Sequence, residues 1–93
     1  MKAVVTVIGK DMVGILAKVA GTCAKANANV LEVTQSVLHE YFAMVMLIDI
    51  AGMSCEIDTL KKNIMEEVPD MQIHVMHDDI FNSMHRIYGD RYA

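Results

Sequence analysis

The residues best suited to hold a small ligand lie in a glycine-flanked turn, residues 9–15, which reads Gly-Lys-Asp-Met-Val-Gly-Ile. The turn follows an apolar run from Ala3 to Ile8 and precedes an amphipathic run that begins at Ile15. A strand that enters a helix through such a turn directs backbone amides and the helix dipole at one point, where an anionic group is favoured. We therefore expect any small ligand to bind at this turn.

A second group of residues with ligand chemistry lies further along the chain. It comprises His74, His77, Asp78, Asp79 and His85. Imidazole and carboxylate groups bind metals, so a metal-binding regulator that uses His74, His77 and Asp78 is an alternative. However, strand positions three apart point to opposite faces, so His74 and His77 converge only if His77 lies in the following turn. The favoured interpretation is solvent-facing histidines, with no metal site and no cofactor.

Length and composition limit the kind of protein. The 93 residues suffice for one small domain, and 54% of them are hydrophobic. So high a fraction in a small domain predicts an apolar surface that meets a partner, most simply a second copy of the chain. The net charge of −4 and the isoelectric point near 5.4 argue against binding nucleic acid or an anionic membrane surface.

Two further features predict a cytoplasmic protein without a membrane anchor. The longest apolar stretch, Phe42 to Ile50, is too short to cross a bilayer, and no signal peptide is visible at the start. Cys23 and Cys55 have no spacing that indicates a disulfide framework or a zinc knuckle. Buried thiols in a reducing compartment are the expected arrangement.

Hydrophobic periodicity predicts six elements in the order strand, helix, strand, strand, helix, strand. They are a strand from Ala3 to Ile8, a helix from Ile15, strands Val30–Leu38 and Tyr41–Ile50 joined by a hairpin, a helix with its apolar stripe from Ile57 to Val68, and a strand from Met71 to Met76. Two right-handed crossovers joined by a hairpin predict an α+β fold, the ferredoxin-like βαββαβ plait. Both helices should cover one face of an antiparallel four-stranded sheet.

Several finer features follow from the same patterns. The strand Tyr41–Ile50 is apolar on both faces and should lie inside the sheet, whereas Val30–Leu38 should be half solvated. Ser54 is a candidate helix cap. Most methionines, Met65 among them, should fill the core, and only Met12 and Met53 look exposed. A stripe of small residues in the first helix, Gly14, Ala17, Gly21 and Ala24, should pack closely on the sheet.

The end of the chain adds a further element to this minimal fold. Apolar residues recur at helical spacing, namely Ile80, Phe81, Met84, Ile87 and Tyr88. We therefore divide the chain into a domain of residues 1–78 and a C-terminal helix and tail of residues 79–93. This helix is expected to cover the open sheet face or a partner subunit.

Two motifs resemble the ACT domain family. The opening, residues 5–15, reads Val-Thr-Val-Ile-Gly-Lys-Asp-Met-Val-Gly-Ile, and residues 27–30 after the first helix read Asn-Ala-Asn-Val. The whole chain is similar to a small, functionally uncharacterised group of stand-alone single-ACT-domain proteins related to glycine cleavage system regulators. The resemblance covers residues 1–78 as fold, and the closing helix belongs to the subgroup.

The resemblance implies a non-catalytic regulatory module. ACT domains commonly pair edge to edge into an eight-stranded sheet and bind an amino acid between the first loop of one subunit and the second strand of its partner. By motif position, the ligand-binding residues are Lys10, Asp11, Met12, Val13, Gly14, Ile15, Asn29 and Val30. Amides near Gly14 would hold the carboxylate, Asp11 would attract the ammonium group, and Asn29 would add a hydrogen bond. The signal would pass to a metabolic enzyme or another regulator.

Other roles for the same residues remain open. Asp11 is also placed to cap the first helix. Gly14 is placed to allow close packing, and Asn29 to satisfy a strand end. With these roles, the protein would be a dimerisation module without a ligand. Catalysis is not expected, because no nucleophile and base lie at a usable spacing. Acylphosphatases share the plait and use a loop arginine, but the only cation in this turn is Lys10, and Arg86 and Arg91 lie in the tail.

Overall fold

The protein is a four-stranded antiparallel sheet covered by two helices, as seen in a computed structural model that describes residues 1–80. The elements are β1 (Lys2–Lys10), α1 (Ile15–Lys25), β2 (Asn29–Leu38), β3 (Tyr41–Asp49), α2 (Ile57–Glu67) and β4 (Gln72–His77). Their order across the sheet is β2-β3-β1-β4. The predicted ferredoxin-like plait is therefore confirmed.

The strand β3 lies inside the sheet, as its apolar sequence predicts. It pairs antiparallel with β1 from Asp49 opposite Lys2 to Tyr41 opposite Lys10. On its other edge it pairs with β2, with Asn29 opposite Asp49 and Leu38 opposite Tyr41. These registers place the start of β2 and the end of β1 at opposite ends of the sheet.

The core lies between the helices and one face of the sheet. Alternate residues of β1 and β3 point into it, namely Ala3, Val5, Val7, Phe42, Met44, Met46 and Ile48. The helices contribute Ile15, Val19, Cys23, Leu60 and Ile64, all buried. Burying a side chain of this size contributes about 1.5–3 kcal/mol, so this layer accounts for most of the favourable free energy of folding.

The helix α1 packs through a narrower face than the sequence predicts. Thr22 is buried, and its hydroxyl group donates a hydrogen bond to the carbonyl oxygen of Lys18 at 2.8 Å, which satisfies the polar group inside the core. Ala17 and Ala24 are exposed, and no atom lies within 4 Å of a Cβ built on Gly21. The prediction that the small-residue stripe packs on the sheet is therefore wrong.

The end of α1 is joined to the loop before α2. Asn27 adopts a left-handed conformation, with φ 59°, and its side-chain amide donates to the carbonyl oxygen of Gly52 at 2.8 Å. The carbonyl oxygen of Ala26 accepts the backbone amide of Ser54 at 2.8 Å and its hydroxyl at 3.2 Å. Ser54 is therefore not a helix cap, and Glu56 occupies the capping position of α2 instead.

The edge strand β2 is more exposed than predicted. Every residue except Val30 is exposed, including Val33 and Val37 on the helix side of the sheet. A bulge at Leu31 interrupts the ladder between Val30 and Glu32. The strand lies at the border of the sheet, so side chains on both of its faces reach solvent.

Two methionines exchange the roles expected for them. Met65 is 46% exposed, whereas Met53 is half-buried and packs against the core. The apolar stripe of α2 is narrow, because only Leu60 and Ile64 of this helix are buried. Met65 therefore lies beside the buried stripe rather than within it.

The chain turns helical again at Asp78, and residues 78–80 form the start of this turn. The remainder of the helix predicted over residues 79–93 lies outside the described residues. Between residues 1 and 80, neither helix has the length and apolar character needed to cross a membrane.

Adding a methyl group at two glycines should change stability in opposite directions. A Cβ on Gly9 would lie 2.7 Å from Sδ of Met71 and 3.3 Å from the carbonyl oxygen of Asp70, so Gly9→Ala should cost roughly 1–3 kcal/mol. The Cβ that Gly21→Ala adds meets open space, and position 21 lies inside a helix. This substitution should therefore stabilise the folded protein by about 0.5–1 kcal/mol. Urea unfolding measures both, and a destabilised Gly21→Ala variant would contradict the open space found around this residue.

The buried thiol of Cys23 should make stability depend on alkaline pH. Burial raises the pKa of Cys23 from 9.0 to about 11. Between these values the unfolded chain loses its thiol proton while the folded chain keeps it, so stability should fall as pH rises from 9 to 11, by on the order of 2 kcal/mol. Unfolding at pH 8.5 and 10.5 should show a smaller decrease in Cys23→Ala than in the parent protein. Equal decreases would contradict the prediction.

Candidate functional site

The β1–α1 turn, residues 10–15, is held against the β2–β3 hairpin at one end of the sheet. The backbone amide of Asp11 donates to the carbonyl oxygen of Glu40 at 2.7 Å. Lys10, which ends β1, lies opposite Tyr41, which begins β3. The turn is therefore positioned by backbone contacts, and its exposed side chains, Lys10 to Val13, are free to meet a ligand.

The first amides of α1 are available to an acceptor. Gly14 holds the capping position, and the helix begins with the bond from the amide of Lys18 to the carbonyl oxygen of Gly14 at 3.0 Å. Within residues 1–80, no side chain caps this end, and the first turn of α1 has no acidic residue. The amides of residues 14–17 have no partner within the helix, so they and the helix dipole favour an anion here. Asp11 is therefore not a cap, and that alternative is wrong.

Gly14 is required for its backbone conformation. Its φ of +86° lies in the left-handed region, which disfavours residues with a Cβ, and no atom lies within 4 Å of a Cβ built there. The alternative that Gly14 allows close packing is therefore wrong. The conformation turns the chain from the end of β1 into α1 and brings the helix amides to the surface.

The side chains of the turn divide into an exposed group and one buried anchor. Lys10, Asp11 and Met12 are exposed, and Val13 is 98% exposed. Ile15 is only 3% exposed and belongs to the core. Of the predicted ligand residues in the turn, Ile15 can thus offer a ligand only its backbone amide.

Asn29 and Val30 do not lie near the turn of the same chain. Asn29 is opposite Asp49, whereas Gly9 is opposite Phe42. The seven residue steps along β3 from Phe42 to Asp49 correspond to about 23 Å. The structure therefore brings together Lys10 to Ile15 but leaves Asn29 and Val30 at the far end of the sheet, and only a second chain can complete the predicted set.

His74 and His77 do not converge, and His85 lies outside the described residues. His74 pairs with Thr6 and His77 with Ala3, so the two imidazoles belong to opposite faces of the sheet. His77 is the last residue of β4 rather than part of a turn. Over the described part of the chain, no group of three or more His, Cys, Asp or Glu side chains could hold a metal ion.

Sequence reasoning missed an open apolar groove at the end of the sheet opposite to the turn. It has a volume of about 550 Å³, and its lining includes Ile50, Met53, Cys55, Ile57, Val75 and Ile80. These residues come from the β3–α2 loop, the start of α2 and the segment around the end of β4. No single sequence pattern marks such a groove, because its walls are distant in sequence.

Comparison with known proteins agrees with the fold. The ACT domain family model matches residues 2–77. A UPF0237 protein of Clostridium perfringens is 46% identical over 90 residues, which cover 94% of this chain and 100% of that protein. The chain therefore belongs to the ACT domain family, a class of regulatory domains.

Two solved structures support the same assignment at different levels. An ACT domain protein from Streptococcus pneumoniae matches with a TM-score of 0.72 and 31% identity, over 87% of this chain and 93% of that chain. A putative glycine cleavage system transcriptional repressor matches with a TM-score of 0.59 and 19% identity, over 80% of this chain and 43% of that chain. The second likeness concerns the fold alone.

Substitution of Gly14 should report the left-handed conformation directly. Gly14→Ala should lower the free energy of unfolding by about 1–2 kcal/mol, since an L-residue is strained at this φ. Gly14→Asn should cost less, because asparagine tolerates the left-handed region. Urea unfolding of both variants tests the order, and equal stability of Gly14→Ala and the parent protein would contradict it.

Proposed function

We propose that the protein is a homodimeric regulatory module that binds an amino acid, or a molecule with the same charged groups, between the β1–α1 turn of one subunit and the start of β2 of the other. The observation that carries the proposal is the register of the sheet. It separates the two halves of the predicted site within one chain and allows a second chain to reunite them.

The edge strand β2 has the properties of a pairing surface. Val33 to Leu38 contains no charged residue and no proline, the features that usually protect an exposed strand edge. Among residues 1–80, no strand pairs with its outer edge. Val37 is 55% and Leu38 70% exposed in the single chain. A second copy of β2 would satisfy the free backbone groups and cover these side chains.

Antiparallel pairing of two β2 strands would bring the halves of the site to the same end. A twofold axis places the start of each strand beside the end of its partner. Leu38, Tyr41 and Lys10 are neighbours on successive strands. Asn29 of the partner subunit, beside Leu38, would then lie about three strand spacings, or roughly 14 Å, from Lys10. Two side chains and a small ligand can bridge this distance.

The chemistry of the turn suits a zwitterionic ligand. The uncapped amides at the start of α1 would bind a carboxylate, and Lys10 adds a nearby positive charge. Asp11 offers a carboxylate to an ammonium group, and Asn29 of the partner subunit adds a hydrogen bond. The ligand would stabilise the dimer, because each site uses both chains.

The proposed role requires no catalysis, and we expect the protein in the cytoplasm. Ligand-dependent dimer stability would provide the signal to an enzyme or regulator that recognises the dimer. The metal-binding alternative is not favoured, since His74 and His77 belong to opposite faces of the sheet.

The decisive experiment is a thermal-shift screen against the twenty amino acids, combined with light scattering. We expect a dimer whose melting temperature rises with one or a few amino acids. Gly14→Val and Asn29→Ala should each remove this response. A dimer without any response would indicate a dimerisation module, and a monomer without any response would refute the proposal.

Mixing the two variants tests whether the site is shared between subunits. After subunit exchange of Gly14→Val with Asn29→Ala, half of the dimers should be mixed, and each should have one site with an intact turn and an intact Asn29. Calorimetry should therefore show that about one site in four binds the ligand again. Failure to recover binding in dimers shown to have exchanged would refute the shared site.

A charge on the edge of β2 should prevent dimer formation. Val37→Lys puts a charged side chain on the pairing edge and should yield monomers by light scattering. Met65→Lys is the matched control. Met65 is also apolar and exposed but lies on α2 rather than on β2, so this variant should remain dimeric. Dimers of Val37→Lys would show that the subunits meet elsewhere.

A further inference from the structure

An apolar groove of about 550 Å³ lies where β3 leads into α2, at the end of the sheet opposite to the β1–α1 turn. Ile50 in its lining is buried, and Met53, Ile57 and Val75 are half-buried. Concave, mainly apolar sites for small molecules have volumes of about 300–1,000 Å³, so the groove has the size of such a site. The function proposed for the β1–α1 turn does not use it.

The groove corresponds by topology to the β1–α1 turn. Each half of the fold has the order strand, helix, strand, and β1 and β3 each lead through a loop into a helix. Because β1 and β3 are antiparallel, these two loops lie at opposite ends of the sheet. The second half of the fold therefore has its own strand-to-helix loop, and this loop borders the groove.

The charges at the two helix starts are different. The first turn of α1 has no acidic residue, whereas α2 has Glu56 at its capping position and Asp58 in its first turn. Both side chains are exposed and line the groove. These carboxylates offset the positive end of the helix dipole, so the start of α2 disfavours the anion that the start of α1 favours.

No basic side chain in the described chain neutralises these two carboxylates. The only salt bridge among residues 1–80 joins the amino group of Met1 to Asp49. None of the described residues that line the groove is a lysine or an arginine, and its only imidazole is that of His77. Two unpaired carboxylates beside an apolar surface complement a positively charged group that carries an apolar body.

We propose that this groove binds a small organic ammonium ion. Its apolar body would pack against Met53, Ile57 and Val75, and its ammonium group would be held by Glu56 and Asp58. The apolar contact would supply most of the affinity, and the carboxylates would select the sign of the charge. A free amino acid also carries a carboxylate, which Glu56 and Asp58 repel, so the ligand class differs from that proposed for the β1–α1 turn.

Two probes with the same alkyl chain and opposite charge, hexylammonium and hexanoate, test this selection. The full-length protein at neutral pH should bind hexylammonium at least about tenfold more tightly than hexanoate in calorimetry, because the two carboxylates attract one probe and repel the other. Failure to bind hexylammonium, or equal affinity for the two probes, would overturn the proposal.

Removal of the two charges tests the residues. The double variant Glu56→Gln/Asp58→Asn keeps the shape of both side chains and should bind hexylammonium about three- to tenfold more weakly. Glu66→Gln/Glu67→Gln is the matched control, since it removes the same charge from exposed residues at the other end of α2 and should bind like the parent protein. Circular dichroism checks folding, and Glu56→Gln alone replaces the double variant if that unfolds.

Cys55 locates the bound probe. It is a half-buried free thiol in the lining of the groove. The other cysteine, Cys23, is buried, and burial raises its pKa to about 11, which keeps it unreactive at neutral pH. Hexylammonium should therefore slow the alkylation of Cys55 by iodoacetamide, followed by mass spectrometry, and hexanoate should not.

Four further results would overturn the proposal. Two of them are an unchanged affinity in the charge-removing variant and an equal loss of affinity in its control. A third is binding of hexylammonium without protection of Cys55, which would place the probe elsewhere. The last is alkylation of Cys55 that slows with rising protein concentration in the absence of a probe, which would assign the groove to a second copy of the chain.

Discussion

The antiparallel register of β3 between β1 and β2 is the constraint on which the rest of the structure depends. It aligns the alternate side chains of three strands, so that one face of the sheet is apolar and receives both helices. A slip of one residue would turn Met44, Met46 and Ile48 to the outer face and lose the core. The same register determines which loops meet at each end of the sheet.

The two ends of the sheet consequently have different roles. At one end, the bond from Asp11 to Glu40 joins the β1–α1 turn to the hairpin, and the left-handed Gly14 opens the helix amides to solvent. At the other end, hydrogen bonds of Ala26 and Asn27 join α1 to the loop before α2, and Ile80 lines an apolar groove. Binding of an amino acid is proposed at the first end, and binding of an organic ammonium ion at the second.

The position of β2 links the fold to the proposed regulation. The strand is necessary to the sheet, but its outer edge and most of its side chains remain exposed in a single chain. An uncharged strand edge is a liability in a monomer and an interface in a dimer. Because Asn29 begins this strand, subunit pairing and completion of the ligand site would be one event.

The sequence by itself determined the order of the elements, the interior position of β3 and the place of the β1–α1 turn. These features depend on local periodicity and on residues such as Asn27, whose left-handed conformation is a local preference. The tertiary structure alone decided the exposure of Met65, the role of Ser54 and the left-handed backbone conformation that requires glycine at position 14. It also decided the separation of about 23 Å between Asn29 and the turn, which the register of the strands sets. Burial and distance depend on which elements become neighbours, and local patterns do not encode that information.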